Sequence, residues 1–317
     1  MMKTEAKKVW MDGELVDFAD ARSHVLGHSL HYGVGVFEGI RAYETPRGTA
    51  IFRLKEHVAR LLMSARFYFM QVPYSAAEIE QAIVDTTAAN DIVPAYIRPL
   101  VYRGEPGLGV KKMTGKVSLA IGVIPATKYL GPGSEEGVKT KISPYRKPRS
   151  DAIPSYAKAA GNYLNSYLAG VDALKEGYEE AILLDALGHL AEGTGENIFL
   201  VRNRTLYTPG TESDILMGIT RDSVIRIARD LDYEVIEKAL SVNELYSADE
   251  AFFSGTFAEI VPIRSVGQYM IGDGKVGLVT RQIAEVFYRA VQGKEKRYAE
   301  WLTPVPKLVA PAIRARP

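Results

Sequence analysis

The run "KYLGPGSEEG", from Lys128 to Gly137, constrains this chain more than any other feature. Its three glycines and one proline break every helical or strand periodicity that reaches it. It therefore cuts 317 residues into two stretches, each long enough to bury a core of its own. We expect an N-terminal α/β domain over 1–125, an interdomain loop over 126–135, a C-terminal domain over 136–302 and a Pro-rich tail over 303–317, extended or disordered.

Strand and helix patterns mix on both sides of the break. "KVWMDGELVDF" reads as two strands turning at Asp12-Gly13. "TAIFRL" is a strand that feeds a helix with Leu54, Val58, Leu61, Leu62 and Ala65 on one face. A second helix starts at Ser75, where Glu78 three residues on completes a capping box. "AYIRPLVYRG" and "KVSLAIGVIP" are strands. Beyond the break, "VKTKISPY", "EEAILLD", "ENIFLVRN" and "TLYTP" read as strands, and residues 162–176 as a helix. "ITRDSVIRIARDLDY" is an amphipathic helix with Val224, Ile225, Ile227 and Leu231 inward, and "GLVTRQIAEVFYRAVQG" is a last helix.

Composition removes several classes of function. Hydrophobic residues make up 47% and charged residues 24%, the balance of a soluble globular chain. A formal net charge of +1 gives no reason to expect nucleic acid or an anionic membrane as partner. No apolar run is long enough for a transmembrane helix. "MMKTEAKKVWMDG" lacks the apolar core of a secretory signal, so the cytoplasm is expected. With no cysteine, the chain has no thiol nucleophile, disulfide or cysteine metal site.

The stretch "LHYGVGVFEGIRAY" looks at first like a phosphate-binding turn. Its glycines, Gly33, Gly35 and Gly39, follow G-x-G-x-x-x-G, whereas a dinucleotide fingerprint needs G-x-G-x-x-G opening a helix. Strand patterns follow instead, so a nucleotide-dependent oxidoreductase is disfavoured and a strand approached closely by another group is expected. His24, His28 and His31 have helical metal-ligand spacing, but no H-E-x-x-H motif accompanies them; structural histidines are expected, and no metal.

Four other places carry chemistry. Lys158 lies among Ala157, Ala159, Ala160 and Gly161, and burial there would lower its pKa toward the neutral amine of a Schiff-base lysine. Tyr163 lies five residues on. Glu192 ends a strand before Gly193 and Gly195. Gly218-Ile219-Thr220 opens a helix, an end that attracts phosphate, and Ser254-Gly255-Thr256 forms a similar turn. Each alone has a plainer account: a solvated lysine, a surface acid, a threonine cap. Together they fit pyridoxal phosphate, with a lysine for its aldehyde, a carboxylate for its ring nitrogen and a helix end for its phosphate.

At these residues the chain resembles the fold-type IV pyridoxal-phosphate enzymes, and among them the branched-chain amino-acid aminotransferases. The resemblance runs from Val9 to Leu302 through "HYGVGVFEGIRAY", "FRLKEHVARL", "AYIRPL", "GLGV", "AKAAGNYLNS", "EGTGENIF", "GITRD" and "SGTFAEI", in that order. It implies a two-domain fold: a smaller N-terminal α/β domain and a larger C-terminal domain with a β-barrel-like core, with the cofactor between them. It implies transfer of the amino group between L-leucine, L-isoleucine or L-valine and 2-oxoglutarate. Lys158 would hold the cofactor as an aldimine and carry the proton of the 1,3-shift. Tyr163 would meet the phenolic oxygen, Glu192 the ring nitrogen, with Asn197 and Leu216 supporting it. Arg60, Ile219, Thr220 and Thr256 would hold the phosphate.

On the substrate side the resemblance implies Phe37, Gly39, Tyr163, Tyr32 and Val110 as an apolar wall. Arg98, Tyr129 and Arg41 would meet a distal carboxylate, and Tyr96 with the amides of Phe257 and Ala258 the α-carboxylate. Tyr32 and the Gly109-Val110 loop would come from a neighbouring subunit, so a homodimer or a larger assembly such as a hexamer is implied. The family usually has a small residue at the position of Phe257. D-amino-acid transaminases, (R)-selective amine transaminases and aminodeoxychorismate lyases share the lysine and glutamate. "VFEGIRAY" with Tyr96 and Arg98 fits the branched-chain group better. A relative that only binds the cofactor is disfavoured by the presence of Arg60, Lys158, Tyr163, Glu192 and Thr220 together.

Overall fold

The computed structural model describes residues 6–111, 115–127, 130–131 and 133–307. Its first part is a sheet of strands β1 (Lys8–Met11), β2 (Glu14–Asp17), β3 (Gly35–Phe37), β4 (Ile40–Thr45), β5 (Gly48–Phe52), β6 (Ala95–Tyr102) and β7 (Ser118–Pro125). The pairs run antiparallel in the order β5-β4-β6-β7-β1-β2, with β3 also on β6. The expected hairpin at Asp12-Gly13 joins β1 to β2.

Helices α1 (His28–Tyr32), α2 (Leu54–Phe67) and α3 (Ala76–Asn90) accompany this sheet. Ser75 and Glu78 form the expected capping box at the start of α3. Along α2, Leu54, Val58, Leu61 and Ala65 are buried in the core of the sheet, and Leu62 is only half-buried against it. A second, polar stripe on α2, His57, Arg60 and Ser64, is buried too. Spacings of three and four residues put these polar groups on one line of the helix.

The glycine-rich stretch is not one strand. It begins in α1, which ends at Gly33 with φ +66°, and only then enters β3 and β4. A left-handed glycine is a common way to stop a helix, so the glycine spacing that failed as a nucleotide loop includes a cap. The histidines disperse around it. His24 Nδ1 accepts from the Leu26 amide, and His31 Nε2 contacts the Val25 carbonyl at 3.0 Å. His28 is buried against Tyr32 with neither ring nitrogen hydrogen-bonded to protein, where satisfied nitrogens were expected.

The second part contains β8 (Val138–Ile142), α4 (Tyr163–Lys175), β9 (Glu180–Leu184), β10 (Leu190–Glu192), β11 (Asn197–Arg202), β12 (Thr205–Thr208), α5 (Ile219–Asp230) and β13 (Val235–Glu237). It continues through α6 (Val242–Tyr246), β14 (Glu250–Gly255), β15 (Glu259–Val266), β16 (Tyr269–Met270) and α7 (Leu278–Val291). Pairing runs β10-β9-β8-β15-β14-β11 and returns from β11 to β10, which closes a barrel. Closure removes the edges that an open sheet would expose. A final strand, β17 (Leu302–Pro304), leaves this part and pairs antiparallel with β5 of the first sheet. The Pro-rich tail therefore starts as an edge strand, a position where proline is tolerated; residues 308–317 lie outside the described residues. Among the described residues, no helix is long and apolar enough to cross a membrane.

Candidate active site

The two parts meet at Lys158. Its amide donates to Ser64 Oγ on α2 at 3.0 Å, and its carbonyl accepts from the Phe37 amide of β3 at 3.0 Å. A bridge between Val36 and Ala159 reinforces the seam. The backbone of Lys158 is thus tied to both sheet and helix of the first part, while the chain leads on into α4 of the second. The side chain rises into a cleft whose walls include Arg60, Tyr163, Glu192, Asn197, Thr220 and Thr256.

Lys158 Nζ donates to Tyr163 Oη at 2.6 Å. Burial, and then the charge of Arg60, pushes the amine down to about 8. Burial, and then the charge of Glu192, pushes the Tyr163 phenol up to about 12. The phenol therefore keeps its proton while the amine sheds its own close to neutral pH.

One end of the cleft is anionic. Glu192 closes β10 and is buried; its Oε2 accepts from Asn197 Nδ2 at 3.2 Å and from the Leu216 amide at 3.0 Å. Asn197 Nδ2 also donates to the Leu216 carbonyl at 2.9 Å, which fixes the amide. Glu192 Oε1 pairs with Lys147. The cation facing this carboxylate shows what the position requires, and a protonated ring nitrogen meets the same requirement. Behind it, Glu196 and Glu180 form a buried carboxyl pair. Burial, then the charge of Glu180, pushes the Glu196 carboxyl well up.

The other end is cationic. Arg60 donates through Nε and Nη2 to the two oxygens of Glu38, at 2.7 and 2.9 Å, and through Nη1 to the Met217 carbonyl at 2.9 Å. His57 Nδ1 lies 2.7 Å from Glu38 Oε2. Burial alone would raise the Glu38 carboxyl, but the Arg60 charge and hydrogen bonds outweigh it and hold it well below the ordinary range. Beside Arg60, α5 starts at Gly218 with no side chain capping its amides. A Cβ on Gly218 would lie 2.0 Å from Asn197 Oδ1, so only glycine fits the join. Thr220 and Thr256 line the same space, and Ser254 Oγ lies there buried without a protein partner. A guanidinium, free helix amides and an unsatisfied hydroxyl together suit a phosphate. The residues present therefore fit pyridoxal phosphate from end to end.

The residues expected on the substrate side form an aromatic layer next to Lys158, whose Nζ lies 5.1 Å from the Phe37 ring centre. The Phe37 and Tyr163 rings are 4.9 Å apart. Arg98 lies 4.5 Å from the Phe37 ring centre, and its Nη2 donates to Tyr96 Oη at 2.9 Å. A Cβ on Gly39 would fall 2.1 Å from Tyr96 Oη, so this glycine is the room that the phenol occupies. Phe257 packs on Tyr96 with ring centres 4.5 Å apart, and Ala258 follows it in the same hairpin. Arg41 donates to the Phe257 carbonyl at 3.1 Å; like Phe37, Tyr96, Arg98 and Phe257, it does not itself line the Lys158 cleft, which Tyr163 does. Tyr32 Oη accepts from the Gly109 amide at 2.9 Å, which puts Tyr32 beside Val110. Both are exposed, and neither lines the cleft of its own chain. Tyr129 lies outside the described residues. Sequence reasoning does not find Glu38, His57, Ser64 or Lys147. "FEGI" and "EHVAR" hold the signal for the first two, a carboxylate and an imidazole close to the expected arginine.

A paired lysine and tyrosine between a buried carboxylate and a buried guanidinium, on this two-part barrel fold, define a class of enzyme. Residues 35–266 match the class IV amino-transferase family, and the chain belongs to it. It is 42% identical over 307 residues to the branched-chain-amino-acid aminotransferase of Escherichia coli (strain K12), covering 96% of this chain and 99% of that protein. The branched-chain aminotransferase of Thermoproteus uzoniensis, solved with norvaline, matches with a TM-score of 0.91 and 46% identity over 95% of this chain and 99% of that chain. The branched-chain amino acid aminotransferase of Thermobaculum terrenum, solved in its PLP form, matches with a TM-score of 0.86 and 36% identity over 95% of this chain and 99% of that chain. The fold-type IV architecture expected from the motifs is the one this chain has.

Proposed function

We propose that this protein is a pyridoxal-phosphate-dependent branched-chain amino-acid aminotransferase. It exchanges the amino group between L-leucine, L-isoleucine or L-valine and 2-oxoglutarate, yielding branched 2-oxo acids and L-glutamate, in the cytoplasm. The observation that carries this is the 2.6 Å contact of Lys158 Nζ with Tyr163 Oη, set between Glu192 and Arg60. When bound, pyridoxal phosphate supplies an electron sink and the carbonyl that takes and returns the amino group. Lys158 would hold it covalently. Arg60, Ile219, Thr220 and Thr256 would hold its phosphate. Glu192, braced by Asn197 and Leu216, would keep its ring nitrogen protonated, and Tyr163 would donate to its phenolic oxygen.

Lys158 has the second task. An amine pushed down to about 8 is neutral often enough to accept the proton from substrate Cα at Nζ and return it as an ammonium. The Phe37 and Tyr163 rings suit a branched apolar side chain, while Arg98 at the mouth suits the distal carboxylate of glutamate. Tyr96 Oη and the Phe257 and Ala258 amides would take the α-carboxylate. A second copy of the chain would bring its Tyr32 and Val110 to this mouth. The exposed groove lined by Met11, Phe18, Leu30, Leu100 and Tyr102 supports its docking, in a homodimer or larger assembly. Sedimentation of the holoenzyme should give a dimer or a multiple of it; an active monomer would refute this part.

The main test is optical. The purified holoenzyme should be yellow, L-leucine should bleach it, and 2-oxoglutarate should restore the colour. A colourless protein, or one bleached only by D-alanine or an (R)-amine, would overturn the assignment.

A further inference from the structure

We infer that Glu259 and Arg41 are positioning residues that hold the Thr256–Ala258 hairpin, and through it Phe257 and Tyr96, at the substrate side of the cleft. This rests on the aminotransferase reading above.

Strands β14 and β15 pair at Gly255 and Glu259, so three residues, Thr256, Phe257 and Ala258, turn the chain. The left-handed residue of this hairpin is Glu259, the first residue of β15 directly after the turn, with φ +63°, a conformation that glycine takes most cheaply. A glutamate offers the turn nothing that glycine does not, and its Cβ makes that backbone less favourable. An outlier of this kind persists when its side chain is needed for something else.

The contacts show what that is. Glu259 Oε2 lies 3.3 Å from Arg41 Nη1, and Glu259 Oε1 accepts from Tyr43 Oη at 2.9 Å. Burial, and then the Glu259 charge, holds the Tyr43 phenol well above its ordinary range, so it stays a donor. Arg41 Nη1 also donates to the Phe257 carbonyl. Arg41 and Tyr43 are alternate residues of β4, so their side chains leave the same face of the first sheet. Two groups of that sheet thus grip a hairpin of the barrel at its tip and at its foot. The tip carries the Phe257 ring, which packs on Tyr96, and Tyr96 in turn is held by Arg98 and fills the room left at Gly39. Arg41 therefore acts on substrate through the hairpin: it fixes one peptide carbonyl, and the ring and amides beside it follow.

The decisive variants are Glu259→Gly and Glu259→Gln, measured in the holoenzyme. Glycine keeps the left-handed backbone and relieves it; glutamine keeps the shape and removes the charge. Both should raise the KM for L-leucine and for 2-oxoglutarate about tenfold, with kcat within about twofold. A residue that merely shapes the turn would give Glu259→Gly the wild-type KM, and that result overturns the inference. Should both variants fail to fold, Tyr43→Phe removes only the hydroxyl donated to Glu259. A KM raised about threefold there supports the grip, and an unchanged KM overturns it. A wild-type enzyme that turns over no L-leucine breaks the aminotransferase reading itself; one that does, with variants of unchanged KM, breaks only this inference.

Discussion

At the Arg60 end of the cleft each charged group meets partners away from water. Glu38, fully buried, takes two guanidinium hydrogen bonds and a third contact from His57. At the Phe37–Tyr96 end, aromatic faces do most of the contacting, Arg98 reaches the surface, and Tyr32 and Val110 lie on it. The first end suits one unchanging group, a phosphate, because buried ion pairs tolerate little displacement. In the proposed function the second would accept both an apolar and a dicarboxylic substrate, and ring faces with one exposed guanidinium suit both. In the proposed assembly a single chain would complete the first end, and a second copy would complete the other.

Substitutions at the two ends should therefore fail differently. Lys158→Ala, between them, should lower leucine transamination by about 10⁴-fold, read in a coupled assay for glutamate. The same variant should retain no cofactor after borohydride treatment. Glu38→Gln leaves the Arg60 charge under-compensated in the interior. It should cost about 3 kcal/mol in denaturant unfolding and weaken pyridoxal-phosphate binding, with substrate preference unchanged. If preference moved instead, the division between the two ends would be wrong.

The Lys158 amine provides a pH test. Its native pKa lies below its ordinary value, so the neutral form appears as pH rises through about 8. Reloading of cofactor-stripped protein should accelerate about tenfold between pH 7 and 9 and then level off. A rate that falls with pH over that range contradicts the assignment of the lysine. Phe257→Ala belongs to the mouth. It should change the ratio of kcat/KM for L-leucine to that for L-phenylalanine by about tenfold toward the larger side chain, leaving cofactor affinity alone. The smallest effect is expected from Ser254→Ala. The apoenzyme should lose little stability, because that hydroxyl has no protein partner, while pyridoxal phosphate should bind about fivefold more weakly.

Much of the local structure was legible without coordinates. The Ser75–Glu78 capping box, the Asp12-Gly13 hairpin and the inward face of α5 each depend on residues within a few positions of one another. Lys158, Tyr163 and Glu192 were legible for the same reason. Their unusual neighbours are adjacent in the chain, and the motifs repeat a known order. Glu38 and His57 were not found, although "FEGI" and "EHVAR" are plain to see. Nothing local says that a strand-end carboxylate will lie against the polar stripe of a helix. Lys147 opposite Glu192, 45 residues apart, was further still from local pattern.

The sequence by itself determined most elements, the family and several of the groups that meet in the Lys158 cleft, because periodicity, caps and motif spacing are short-range properties of the chain. Tertiary structure alone decided the return of β17 to β5, the closure of the barrel at β10 and β11, and the grip of β4 on the Thr256–Ala258 hairpin. Arg41 shows the difference best. Its type and place on a strand were plain from the chain, but its partners, Phe257 and Glu259, lie more than 200 residues away. Which of its neighbours a buried guanidinium satisfies depends on what the fold carries within hydrogen-bond reach, and only packing sets that distance.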